Sequence, residues 1–339
     1  MPRLSLALLL ATLCATSASA AEFTIQDTEP DQVSPEQGTP VDDVSLGECC
    51  CDCCCPSWTA NIGYVYLWRE RTGSDFAILE DAADNPLFTA DRFDFDAKSG
   101  MDVSVMRDNG CGRGLQVRYL GLEQYSAAET VDLGSFRVAT NPNQTSPTIS
   151  TAYTHRLESE LRSIELLTSR CCGNMQLFGG FRYISLEERL SSIAVNNLPP
   201  SLFFEADNDL YGFELGANGE LWNNCRCLSI EGLAKVGIYH NDVSASALDT
   251  DTASGGSGQA SGSETAFASE LAVTAVYDVR CNLSLRAGYE MLCIDGVALA
   301  ADQVPNTGDL NVGLNNADVR IDSSSLFFHG LNVGLEYRR

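Results

Sequence analysis

The stretch Asn282-Leu-Ser-Leu-Arg-Ala-Gly-Tyr-Glu-Met-Leu-Cys293 decides the fold. Leu283, Leu285, Ala287, Tyr289, Met291 and Cys293 fall on one side of an extended chain, and Asn282, Ser284, Arg286, Gly288 and Glu290 on the other, because successive side chains of a strand point to opposite faces. One such segment suits any half-buried sheet. A succession of them, with tight turns at one end and long loops at the other, is the pattern of an outer-membrane barrel, whose strands turn apolar residues to lipid and polar residues to the lumen.

The same period of two recurs throughout the chain. It predicts strands at 58–69 (Trp58, Ile62, Tyr64, Tyr66 and Trp68 on one face), 99–107, 114–124, 152–169, 175–188 (Leu177, Gly179, Phe181, Tyr183), 208–222, 227–239, 265–280, 282–293 and 325–337. The fourth is irregular. Leu157 and Leu161 share a parity that Ile164 and Leu166 do not, which predicts a bulge there, with a helix as the alternative. Short connections near 108–113, 170–174, 223–226 and 280–281 alternate with long ones near 70–98, 125–151, 189–207, 240–264 and 294–324. With an even strand count, both ends of the barrel and every tight turn face the periplasm. The expected fold is an all-β, antiparallel, up-and-down transmembrane β-barrel of ten strands, with eight or twelve as alternatives. A soluble β-sandwich would explain the alternation but not the loop asymmetry. Trp58, Tyr66, Trp68, Tyr277 and Tyr337 fall near strand ends, where aromatic girdles belong. The loop at 240–264, with Ser254-Gly-Gly-Ser-Gly258, reads as a flexible tether.

Ahead of the first strand lie three further segments. Arg3, the apolar run Leu4 to Ala15 and Ala18-Ser19-Ala20 read as a cleaved signal peptide over 1–20, which predicts export to an outer membrane. Residues 21–48 are acidic and Pro-rich without Lys or Arg, a composition that does not fold alone. Residues 49–56 are a cysteine cluster, and 57–339 the barrel. Acidic residues number 46 against 21 basic, a formal charge of −25. That excludes a nucleic-acid partner, which needs a basic footprint, and favours cations.

Six cysteines form the cluster: Cys49, Cys50, Cys51, Cys53, Cys54 and Cys55. Cys111, Cys171, Cys172, Cys225, Cys227 and Cys281 fall in or beside the short turns, and the long loops hold none. Export brings them to a compartment where disulfides persist. Bonds within the chain and bonds to other copies both fit. Zinc fits less well, since paired C-x-x-C arms and nearby His are lacking. No metal or cofactor is assigned.

The polar rows carry charges of both signs: Arg118, Arg182, Glu214, Glu231, Lys235, Glu270, Arg286, Glu290 and Glu336 are the candidates for the lumen, with Arg69, Asp102, Glu158, Glu160, Arg162 and Asp278 beside them. A charge at the midplane of a lipid face costs about 2–4 kcal/mol, which turns such residues inward. Ten strands make a narrow barrel, so these charges either line a small passage or pair across it and brace the wall. His155, His240 and His329 are the three histidines, and no G-x-S-x-G accompanies them, so no catalytic residue is assigned.

Four stretches carry a family resemblance: Leu177-Phe-Gly-Gly-Phe-Arg-Tyr-Ile-Ser-Leu-Glu-Glu, Asn208-Asp-Leu-Tyr-Gly-Phe-Glu-Leu-Gly-Ala, Arg286-Ala-Gly-Tyr-Glu-Met-Leu-Cys-Ile-Asp-Gly-Val-Ala-Leu-Ala-Ala-Asp-Gln303 and Phe327-Phe-His-Gly-Leu. Together they resemble the putative beta-barrel porin family of planctomycete bacteria over about 58–337, with 286–303 the most specific. The resemblance implies an outer-membrane barrel and supplies no catalytic residue. Two functions are therefore expected. One is a narrow porin-like passage for ions or small solutes, cation-preferring. The other is a structural envelope protein, embedded in membrane lipid and cross-linked to other copies through its cysteines.

Overall fold

The computed structural model describes residues 57–72, 77–80, 85–110, 112–132, 137–138, 152–172, 174–195, 201–224, 227–250, 257–306 and 321–339. The signal, acidic and cysteine-cluster segments expected over 1–56, and Cys111 and Cys225, lie outside them.

The strands are β1 (Ser57–Thr72), β2 (Ala77–Glu80), β3 (Pro86–Thr89), β4 (Lys98–Asp108), β5 (Arg113–Leu122), β6 (Tyr125–Val131), β7 (Arg137–Val138), β8 (Tyr153–Cys172), β9 (Met175–Ala194), β10 (Ser201–Asn223), β11 (Leu228–Asp249), β12 (Ser257–Arg280), β13 (Leu283–Ala298) and β14 (Ser323–Arg338). Ten of them pair antiparallel in a closed ring, β1-β4-β5-β8-β9-β10-β11-β12-β13-β14 and back to β1. The ring closes down to its end, where Trp58 and Arg339 exchange backbone bonds of 2.7 and 2.8 Å. β6 pairs with β8 beyond β5, and β2, β3 and β7 form a small separate sheet. The tight connections and both ends of the ring share one end of the barrel, here called the turn end. The long connections share the other.

The expected strands are all present, but β9 to β12 run much further than the sequence suggests. β8 to β12 span 20, 20, 23, 22 and 24 residues, about twice the 9–11 that a tilted strand needs to cross lipid. Their two halves have opposite polarity. Near the turn end the apolar rows face outward and are exposed: Ile62, Tyr64, Phe181, Phe213, Leu215, Val236, Ile238, Val273, Leu285 and Val333. Beyond the girdle of Tyr66, Trp68, Tyr119, Tyr211 and Tyr289 the arrangement inverts. Leu161, Ile184, Leu186, Leu190, Leu210 and Phe328 point inward and have no exposed surface, while Glu187, Arg189, Glu205, Asp209 and Asp242 face outward on the same strands.

This inversion corrects three expectations. β8 has neither bulge nor helix. It pairs with β9 in unbroken register from Tyr153 to Cys172, and its leucines change parity because Leu157 and Leu161 fill the outer interior while Ile164 and Leu166 face lipid. Glu158, Glu160 and Arg162 consequently lie on the outside, not in the lumen. The tether expected over 240–264 is largely paired strand: Val243 to Leu248 bond in register with Ser257 to Gly262. Of its Gly/Ser run, 254–256 lie outside the described residues.

Phe213, at 71% the most exposed large apolar side chain among the described residues, tests which solvent meets the outer wall. Phe213→Arg should lower the stability of the lipid-inserted barrel by about 2–4 kcal/mol, read as an earlier midpoint when the vesicle-bound protein is titrated with guanidinium. An unchanged midpoint would put that face in water.

Candidate functional site

The barrel interior is stacked in three zones. Nearest the turn end is a cavity of about 320 Å³ lined by Thr59, Asn61, Gln116, Gln176, Arg286 and Glu336 among others. Here Arg286 of β13 reaches Glu231 of β11 at 2.7 Å and Glu336 of β14 at 2.6 Å.

Above the cavity lies a layer of ion pairs. Arg118 of β5 grips Asp102 of β4 through two bonds of 2.9 Å and reaches Glu270 of β12 at 2.5 Å. β5 and β12 are five strands apart either way round the ring, so this bond spans the lumen. Arg182 of β9 donates to Glu270 at 3.0 Å, to Glu214 of β10 at 3.2 Å and to Ser163 at 2.9 Å. Lys235 of β11 donates to Glu165 of β8 at 2.7 Å and lies 3.5 Å from Glu270. Arg182, Glu165 and Glu214 are 1% exposed, so water does not reach these charges. The local sequence makes the crossing feasible. Gly212 stands opposite Arg182, and a Cβ there would come within 2.1 Å of the Ile238 carbonyl oxygen, so the strand backbones approach as only glycine permits.

The third zone is apolar. Leu67, Leu120, Tyr125, Ile184, Leu210, Leu292 and Phe328 fill it, with Phe88 of β3 and Phe93 and Phe95 after it packed inside. The strand β13 itself contributes a plug. Gly296, at φ +81°, turns the chain inward, and residues 299–304 follow, every one of them buried. Wall side chains hold this segment. Asn208 brackets Ala298, donating to its carbonyl at 2.8 Å and accepting from its N–H at 2.7 Å. Asn241 donates to the Gly296 carbonyl at 2.9 Å, and Glu188, which also pairs with Arg69, accepts from Ala300 N–H at 3.2 Å.

A closed ten-strand ring with lipid-facing apolar rows and a charged interior can now be compared with known proteins. Residues 68–338 match the family described as Putative beta barrel porin-7. The chain belongs to this family, and it is an outer-membrane β-barrel. Among solved structures, the outer membrane protease OmpT from Escherichia coli superposes with a TM-score of 0.51 at 10% identity, over 84% of this chain and 96% of that one. The translocator domain of the autotransporter NalP from Neisseria meningitidis gives a TM-score of 0.40 at 13% identity, over 83% of this chain and 88% of that one. At such identity the likeness to OmpT concerns the fold alone. No curated protein matches the chain by sequence.

In this porin-family barrel the nine charges proposed for the lumen fall into two groups. Arg118, Arg182, Glu214, Lys235 and Glu270 meet in the central layer. Glu231, Arg286 and Glu336 meet at the cavity, with Glu290 between the groups, lining the cavity and accepting from Asn332 at 3.0 Å. Sequence reasoning missed Glu165, Glu188, Asn208 and Asn241. The signal for Glu165 was its parity, shared with Leu157 and Leu161. Of the described turn cysteines, Cys171 and Cys172 end β8, and Cys227 and Cys281 lie in the β10–β11 and β12–β13 turns, all at the turn end. The histidines are scattered. His155 is buried, with Nδ1 2.7 Å from Ser192 Oγ and its ring against Phe88. His240 pairs with Asp242 on the outside, and His329 stacks on Trp68 beside Tyr289.

Removing one partner of a buried ion pair strands the other charge, at about 3–5 kcal/mol. Glu270 serves Arg118, Arg182 and Lys235 at once. Glu270→Gln should therefore destabilise the barrel by about that amount, measured by chemical denaturation in detergent. The loss should change little between low and high salt, because Glu270 and its partner Arg182 are themselves buried. Glu205→Gln, on the outside beside Arg189, should cost under about 1 kcal/mol.

Proposed function

We propose that this barrel is a narrow, cation-preferring passage for ions or small solutes across an outer membrane, shut at rest. One observation carries the reading. The ion-pair layer holds four carboxylates, Asp102, Glu165, Glu214 and Glu270, against three cations, Arg118, Arg182 and Lys235, and it stands directly above the cavity at the turn end. A narrow low-dielectric opening lined by excess negative charge favours cations over anions. The dry zone beyond it keeps the resting barrel closed, so passage requires the 296–304 plug to leave its place. Orientation follows from the short turns, which face the periplasm in barrels of this kind. The N-terminal segment 1–20 acts in this reading as the cleaved export signal. No cofactor and no catalytic step enter it.

The test is single-channel recording in planar bilayers. The wild-type protein should open briefly and seldom, with a reversal potential in a KCl gradient that favours potassium. Asn208→Ala, which removes both side-chain bonds to Ala298, should open at least several-fold more often. Silence of both proteins at all voltages would defeat the proposal.

A second reading is favoured by the placement of cysteines. Cys171, Cys172, Cys227 and Cys281 share the end of the barrel at which Ser57 begins, and Ser57 follows the run Cys49–Cys55 almost directly in the chain. In this reading the barrel is a lipid anchor for an envelope protein cross-linked through that cluster. Non-reducing gels of isolated envelopes should then show high-mass species that collapse to one band with reductant. A single monomer band without reductant removes this reading and leaves the passage untouched.

A further inference from the structure

Glu290 differs from the other buried carboxylates of the barrel wall. Glu165, Glu188, Glu214, Glu270 and Glu336 each pair with an Arg or Lys. Glu290 is 6% exposed and lines the cavity, and Asn332 Nδ2 at 3.0 Å is its partner. Among the described residues no Lys or Arg pairs with it. Counting it with the central layer gives five carboxylates against three cations, so the fully ionised layer carries two excess negative charges. Buried charge without a partner is strongly disfavoured, and the apolar zone above offers no compensation. The cavity below is the open side from which further counter-charge can enter. The lining of the same cavity includes Asn61, whose buried Oδ1 accepts no hydrogen bond.

We infer that the floor of the ion-pair layer is a binding site for an alkali-metal cation, held by the Glu290 carboxylate and neighbouring amide and hydroxyl oxygens that include Asn61 and Thr274. The donor set defines the ligand class. All of it is oxygen, which suits a hard cation. No group of three His, Cys, Asp or Glu that would hold a metal occurs among the described residues, so a tightly chelated metal is not the fit. The site deepens the passage reading on which it rests, since a bound cation beneath the layer is the first station for one crossing it.

The experiment compares thermal unfolding of the full chain in detergent in KCl and in N-methyl-D-glucamine chloride of equal ionic strength. General screening is then matched and only the small cation differs. A ligand bound to the folded state alone raises Tm, so the wild type should unfold several degrees higher in KCl. Glu290→Gln keeps the shape and removes the charge, and the increment should vanish. Ala272→Lys places an ammonium at the strand position paired with Glu290. It should also remove the increment, with Glu290 intact, and keeps the test valid if the first variant fails to fold. Equal Tm for the wild type in both salts overturns the inference, as does an increment that survives in Glu290→Gln. A wild-type Tm that follows pH but not potassium identifies a proton instead, and overturns it too. The readout is occupancy, not current. An increment without conductance counts against the passage alone, and conductance without an increment counts against this site alone.

Discussion

Hydrocarbon offers a backbone no hydrogen bonds, and every feature of this barrel answers to that constraint. A sheet in lipid must close on itself, and here β1 meets β14 in register from Thr59 to Thr72. Closure in turn creates an inside. Ten strands enclose a narrow space, here largely filled by side chains and the segment after Gly296, and what fills it depends on what lies outside. Where lipid surrounds the wall the apolar side chains are drawn outward, leaving the charged ones to find partners across the lumen. Where water surrounds the wall the ordinary hydrophobic effect returns and the interior becomes a dry core.

The molecule is thus two proteins in one sheet. Its turn-end half is inside-out and held by ion pairs such as Arg118–Glu270 and Lys235–Glu165. Its outer half is packed like a water-soluble β-barrel, with Phe88 and the segment after Gly296 serving as the filling. The two halves share continuous strands, so no joint separates them. The boundary is a change of side-chain chemistry at fixed parity: along β9 the inward row passes from Arg182 to Ile184 and Leu186 within one continuous ladder.

That boundary explains what was legible in the sequence. Strands flanked by lipid announce themselves, because Leu283, Leu285, Tyr289 and their counterparts alternate with polar residues. The strand order, the tight turns and the charges of the central layer follow from the same alternation. Beyond the girdle the alternation persists, but its meaning reverses. Leu157 and Leu161 looked like a break in period when they marked a change of surroundings, and Glu165 was lost with them. The outer parts of β11 and β12 were hidden for another reason. Their inward row is built of Ala245, Ala247 and Gly258 and their outward row of Ser244, Ser246 and Gln259, so both rows are mostly small and the apolar one carries no large side chain to mark it. Asn208 and Asn241 could not be foreseen, because their partners are backbone atoms that only the turn at Gly296 brings near.

The plug is carried between β13 and β14. Asn208 and Asn241 belong to β10 and β11 and are made long before the Gly296 and Ala298 backbone they bind. The two strands that complete the ring between β12 and β1 therefore also carry the buried segment 299–304 that fills its bore. Wall and seal are one stretch of chain, and a protein without that stretch would lose both together.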